Sequence, residues 1–149
     1  VVVASPPFAH RADVLASLDH GLHVLCEKPF ALNLEEAEDM LAASKRAGTA
    51  CALSHEFRWI PERTAVKELI VNGHLAPLRN IEITYLTTFL NAKGTRKRDW
   101  WFEKRCGGGM AGAIGSHMVD LASWLAGRAP LGAKGFIRTA NPQRQDAPG

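Results

Sequence analysis

The sequence predicts an α/β fold in which parallel strands from one half of a doubly wound sheet are followed by the start of an α+β domain. Three observations predict it. Val1-Val2-Val3-Ala4 is a continuous apolar run of the kind found in a parallel strand covered on both faces. Two further short apolar runs, at residues 23–26 and 50–53, alternate with stretches of helical periodicity. Beyond residue 57 the rhythm changes, and alternation of apolar and polar residues replaces the continuous runs.

Each element follows from local signals. Pro6 and Pro7 break the first run, after which Phe8, Ala12, Leu15 and Leu18 repeat at helical spacing until Gly21, a suitable left-handed cap. Residues 23–26 read as the second strand. Asn33 with Glu36 three residues on gives a capping box, opening a helix through Ala37, Met40, Leu41 and Ala47 to Gly48. Residues 50–53 form the third strand, and a β-α-β-α-β order with right-handed crossovers makes the strands parallel. Pro61 starts a helix carrying Ala65, Val66, Leu69 and Ile70 to Asn72-Gly73. Ile81, Ile83 and Tyr85 then alternate with polar residues, as in a strand exposed on one face. Residues 91–109 have no clean period and read as a long loop, residues 110–126 as a helix ended by Gly127, and residues 135–139 as a last strand. Two domains result, 1–57 and 58–149.

Composition narrows the class. With 46% hydrophobic and 22% charged residues the chain is expected to fold as an ordinary globular domain, which excludes disorder and collagen-like repeats. No apolar stretch approaches the ~20 residues that span a bilayer, and the expected location is cytoplasmic. Cys26, Cys51 and Cys106 are odd in number and far apart, fitting buried thiols better than a disulfide framework or zinc site. A net charge of +3 is too slight to imply nucleic acid. Because the chain lacks an initiator Met and opens on a strand that needs neighbours, it is expected to be part of a longer protein, without an upstream portion and the end of its second domain.

Four groups of residues could carry chemistry. Glu27-Lys28-Pro29 follows the second strand, and in an open α/β sheet the ligand crevice lies beyond the carboxyl ends of the strands; a solvated ion pair is the plain alternative. Pro29 allows a cis turn there. His117 and Asp120 stand three apart on one helix, where a carboxylate can orient an imidazole that carries protons near neutral pH, or simply form a surface pair. Gly107-Gly108-Gly109 precedes that helix and permits close backbone approach to a ligand, or serves as a hinge. Finally, Lys93, Arg96, Lys97, Arg98, Lys104 and Arg105 surround Trp100, Trp101 and Phe102. Asp99 and Glu103 interrupt that basic run, which favours an aromatic pocket wall or helix packing over nucleic acid. His10, His55, His74 and His117 form no H-x-x-x-H pair, so no metal site is expected.

Taken in order, these motifs resemble the Gfo/Idh/MocA oxidoreductases over nearly the whole chain. Ala4-Ser5-Pro6-Pro7-Phe8-Ala9-His10 is similar to the family's A-[TS]-P-x-x-x-H, and Val24-Leu25-Cys26-Glu27-Lys28-Pro29 to its V-x-x-E-K-P. Residues 55–61 resemble the R-x-x-P segment that leaves the nucleotide domain, and residues 107–120 its G-G-G-x-x-x-x-x-G-x-H-x-x-D. The resemblance implies the second half of a Rossmann-type domain, then an α+β substrate domain with a mostly antiparallel sheet through which the protein forms a homo-oligomer. It implies NAD or NADP as cofactor and a sugar, polyol or inositol-like substrate, with no nucleic acid or membrane partner. It makes Lys28 and His117 catalytic, places Ser5, Pro6, His10, Glu27, Lys28, Pro29 and Arg58 at the cofactor, and puts Lys28, His117, Asp120 and Trp100 at the substrate. A non-catalytic dinucleotide-binding sensor of the same fold is the alternative. One departure stands out: Ala113 occupies a position where sugar-active members often have an Asp.

Overall fold

The computed structural model of the chain describes residues 1–75, 77–88 and 99–139. Val2–Val3 (β1), Val24–Glu27 (β2) and Cys51–Ser54 (β3) form a parallel sheet in the order β1-β2-β3. Helices α1, Pro7–Asp19, and α2, Leu34–Ala47, make the two crossovers and pack against each other. In register, Val3 lies opposite Cys26 and Cys26 opposite Leu53, whereas Val2, Leu25 and Ala52 share the other face.

The core lies where the strands meet these helices. It contains Val3, Val14, Leu18, Val24, Cys26, Met40 and Ala43. Val2 and Leu25 on the opposite face are 67% and 40% exposed. The cover expected on both faces of residues 1–4 is therefore found on one face only among the described residues, and burial alternates where hydrophobicity does not. Of the cysteines, Cys26 is buried, its thiol pushed up to about 12 mainly by that burial, while Cys51 is exposed and Cys106 half-buried. The expectation of three buried thiols holds for Cys26 alone; Cys51 is exposed because the helices cover the middle strand more fully than β3, and Cys106 ends a short 3-10 turn.

α1 departs from its expected face. Pro7, His10, Val14 and Leu18 are the buried residues, and Phe8 is 50% exposed. The inward stripe turns on His10, a polar residue that periodicity of apolar side chains does not reveal; two hydrogen-bonding contacts allow its burial. α2 opens as its capping signal predicts. Asn33 Oδ1 accepts from the Glu36 backbone N–H at 2.9 Å, and Glu36 Oε2 accepts from Leu32 N–H at 2.9 Å, one residue earlier than the usual reciprocal bond. Gly48 ends the helix with φ 64°.

Two compact units emerge, Val1–Glu56 with Trp100–His117, and Phe57–Asp99 with Met118–Gly149. In the first, short 3-10 turns at Trp100–Phe102 and Lys104–Cys106 lead into a π-helical turn at Ala111–Gly115. The helix expected over residues 110–126 is thus split, with regular α-helix α4 running over Ser116–Ala126. The second unit contains α3, Pro61–Val71, and most of α4. Lys67 of α3 donates to Trp124 O at 2.7 Å and Leu125 O at 3.4 Å, supplying a cation to the last carbonyls of α4.

The strands expected around Ile81–Tyr85 and at residues 135–139 are not formed among the described residues. Ile83 and Tyr85 are 37% and 46% exposed, and Phe136 and Ile137 are 93% and 83% exposed. Alternation marks which face a strand would bury; the ladder itself needs a paired neighbour. The antiparallel sheet expected for the second domain is accordingly not seen. Lys93, Arg96, Lys97 and Arg98 of the basic run lie outside the described residues.

Candidate active site

Because the three strands are parallel, their carboxyl ends open on one edge of the sheet. β1 delivers Ser5 and Pro6 there, β2 delivers Glu27, Lys28 and Pro29, and β3 delivers His55 and Glu56. The Lys28–Pro29 bond is cis. Glu27 turns back on its own loop, its Oε2 accepting from the Lys28 backbone N–H at 3.2 Å.

Lys28 reaches the other segment of this unit. Its Nζ donates to Ala113 O, 3.2 Å away, in the π-helical turn. The turn repeats at five residues instead of four, which reorients carbonyls at its widened point. Ser116 Oγ donates to Gly112 O at 2.6 Å, so two consecutive carbonyls of the turn are taken by side chains. The departure from the family pattern at Ala113 thus falls on the residue whose main chain holds the lysine head.

Close packing of the glycine run makes this approach possible. A Cβ on Gly108 would lie 2.4 Å from Trp100 O and 2.5 Å from Trp101 O, and one on Gly112 would lie 3.3 Å from Gly107 O. Gly108 thus admits protein backbone, whereas Gly107, at φ 80°, packs against the side chains of Pro7 and Leu32, and Gly109, at φ 103°, has nothing within 4 Å of an added Cβ.

His117, the second residue of α4, is 1% exposed. Its Nε2 lies 3.4 Å from Glu56 Oε1, and its ring meets that of His55 edge-on, centroids 5.6 Å apart. Burial pushes the imidazole below its ordinary value; the Glu56 carboxylate opposes this, the Lys28 ammonium and His55 reinforce it, and Glu27 opposes it weakly. Residues from β2, β3 and α4 therefore feel one another at a single place. A buried imidazole that stays neutral, beside an ammonium and a carboxylate, can take a proton while the cation steadies developing negative charge.

Other predicted residues take supporting places. His10 is fully buried, Nδ1 2.9 Å from Pro29 O and Nε2 2.8 Å from Ser5 O, so it braces the loops after β1 and β2. Ser5 Oγ donates to Asp13 Oδ2 at 2.6 Å, and Pro6 is the N-cap of α1. Within the second unit, Arg58 grips Asp120 through two nitrogens, Nε donating to Oδ2 at 2.7 Å and Nη2 to Oδ1. Trp100 stacks at a tilt on Trp101, ring centroids 5.3 Å apart, and its carbonyl faces Gly108. Among the described residues no group of His, Cys, Asp and Glu could hold a metal ion, and no helix is long and apolar enough to cross a membrane.

Glu56 and His55 stand beside His117, and the resemblance of residues 55–61 to R-x-x-P gave neither a role there. The signal was present: both follow a strand's carboxyl end, as Lys28 does, and the same crevice rule applies to them.

Comparison with known proteins bears on this site. Residues 1–55 match an oxidoreductase family with an NAD-binding Rossmann fold, and residues 64–148 match the GFO/IDH/MocA C-terminal domain. The chain belongs to the Gfo/Idh/MocA oxidoreductases. It is 31% identical over 129 residues to glucose-6-phosphate 3-dehydrogenase of Bacillus subtilis, covering 84% of this chain and 36% of that protein. Levoglucosan dehydrogenase of Pseudarthrobacter phenanthrenivorans is 30% identical over 128 residues, covering 85% of this chain and 33% of the relative. A solved levoglucosan dehydrogenase in complex with NADH and levoglucosan superposes with a TM-score of 0.79 at 29% identity, over 85% of this chain and 34% of that one. The chain thus spans about a third of the length of these relatives. Its fold is Rossmann-like, with parallel strands.

Proposed function

We propose that the intact protein is a nicotinamide-dependent dehydrogenase acting on a carbinol of a sugar or polyol, with Lys28 and His117 at the reacting centre. The observation that carries this reading is that Lys28, from the end of β2, donates to Ala113 O in the turn that leads into His117 at the start of α4. Relatives named as sugar dehydrogenases, and a neighbour solved with NADH and levoglucosan, support the substrate class and the cofactor.

The residues present fit a dinucleotide: a carboxylate at the end of β2 and an ammonium on the loop after it suit ribose hydroxyls and a reacting oxygen at the carboxyl ends of the strands. Ser5, Pro6, His10, Glu27, Pro29 and Arg58 are proposed to hold or support NAD or NADP, His10 by fixing the loops. The bound nicotinamide supplies the hydride acceptor. His117, neutral at pH 7 because burial disfavours its charge, takes the hydroxyl proton. Lys28, held by Ala113 O, directs its remaining donors toward the oxygen that gains negative charge. Asp120, anchored by Arg58, and Trp100 are proposed to complete the substrate side.

The test is Lys28→Met in the intact protein, assayed with NAD and NADP against a panel of sugars, polyols and inositols. Turnover should fall by about 10²-fold or more while dinucleotide binding, followed by fluorescence, persists. Near-normal turnover in the variant would remove Lys28 from the chemistry. Dinucleotide binding by wild type without turnover of any substrate would make the protein a sensor.

A further inference from the structure

The proton taken by His117 is left inside the protein. His117 is 1% exposed, and each oxidation turns a secondary alcohol into a ketone, passing a hydride from carbon to the nicotinamide dinucleotide and the hydroxyl proton to the imidazole. That proton must reach solvent before the next turnover. Among the charged or titratable groups acting on His117 are Glu56 and His55 beyond β3, and Lys28 and Glu27 from the end of β2. Of these, Lys28 is a cation held by Ala113 O, and Glu27 is turned onto the Lys28 backbone N–H. Glu56 is different. Its carboxylate stands 3.4 Å from His117 Nε2, and its side chain is 53% exposed. One oxygen thus faces the buried ring while the group as a whole touches water.

We infer that Glu56 is the positioning residue of His117 and the outlet for its proton, passing that proton from Nε2 to bulk water. The inference rests on the proposed role of His117 and assigns a function to a residue that the R-x-x-P resemblance of residues 55–61 leaves without a role. In the step, the substrate O–H bond breaks as Nε2 takes the hydroxyl proton; the Nε2–H bond then breaks and an Oε1–H bond forms, and the carboxylic acid releases the proton to solvent, regenerating carboxylate and an imidazole whose Nε2 can accept again. No redox equivalent is needed beyond the dinucleotide. Once the ring carries the proton, the carboxylate 3.4 Å from Nε2 also holds its orientation.

The test compares wild type, Glu56→Gln and Glu56→Asp in the intact protein, with His117→Ala as control. One arm needs no turnover: selective ¹³C labelling of histidine and titration of the His117 resonance by NMR. Glu56 raises the affinity of the ring for a proton, so Glu56→Gln should titrate at lower pH than wild type and Glu56→Asp between them. In the kinetic arm, Glu56→Gln should lower kcat by about tenfold or more, with the KM for dinucleotide within about twofold of wild type. The acid limb of kcat/KM should move to lower pH, and small carboxylate buffers should restore part of kcat. An unchanged His117 titration and an unchanged kcat in Glu56→Gln would overturn the inference, as would a loss of kcat that neither Asp nor external carboxylate relieves. The two readings fail separately. If His117→Ala turns over like wild type, the proposed function loses its base and the relay goes with it; if only His117→Ala is impaired, the relay alone is wrong.

Discussion

His117 shows how a single side chain links burial, acidity and stability. Its proton affinity is lowered in the fold, chiefly by burial, so the unfolded chain takes up the proton first as pH falls. The stabilising contribution is therefore complete above the ordinary histidine value of ~6.5 and is lost as pH drops toward the lowered folded value. Melting temperature should fall on acidification from about pH 7.5 to about pH 5.5, and His117→Asn should reduce that fall; equal falls in both proteins would show that the ring does not carry the effect. At this scale the sequence singled out Lys28, through its place after a strand, and His117, through its helix motif, as candidates. It did not reveal Glu56 or the buried setting of His10. A glutamate followed by no recognisable partner looks like any surface charge until β3 carries it to an imidazole far along the chain.

The π-helical turn at Ala111–Gly115 and the glycine run before it are where elements decide what residues can do. Gly108 packs against the carbonyls of Trp100 and Trp101, and those are backbone atoms that cannot rotate aside. Gly108→Ala should cost about 1–3 kcal/mol or more of stability and disturb the approach of Ala113 O to Lys28. Chemical denaturation of the variant measures the first effect, and a stability within about 0.5 kcal/mol of wild type would show that this segment yields easily. Helix starts and stops were well marked in the sequence, since Asn33, Gly48, Pro61 and Gly127 act locally on their own backbone. The π-turn was not, because a five-residue repeat leaves the same apolar pattern as a helix that continues. Strands at residues 81–85 and 135–139 are not formed among the described residues for a related reason: alternation is local, and pairing is not.

Across the whole molecule, the sheet and two helices share one buried seam whose centre includes Met40, at 0% exposure, while its neighbour Leu41 is 50% exposed. Met40→Ala should destabilise by about 2–5 kcal/mol and Leu41→Ala by under about 1 kcal/mol, compared by thermal or urea denaturation. Equal losses would mean that the seam does not dominate stability. The β-α-β-α-β order, the helix limits and the family were legible in the amino acids alone, since these rest on periodicity, capping and short motifs read within a few residues. Long-range packing selected the face of α1 that is buried, the segment that joins Lys28, and the meeting of Glu56 with His117. Those outcomes depend on groups distant along the chain being desolvated together, and the free energy of that burial is a property of their surroundings, which no local stretch of sequence contains.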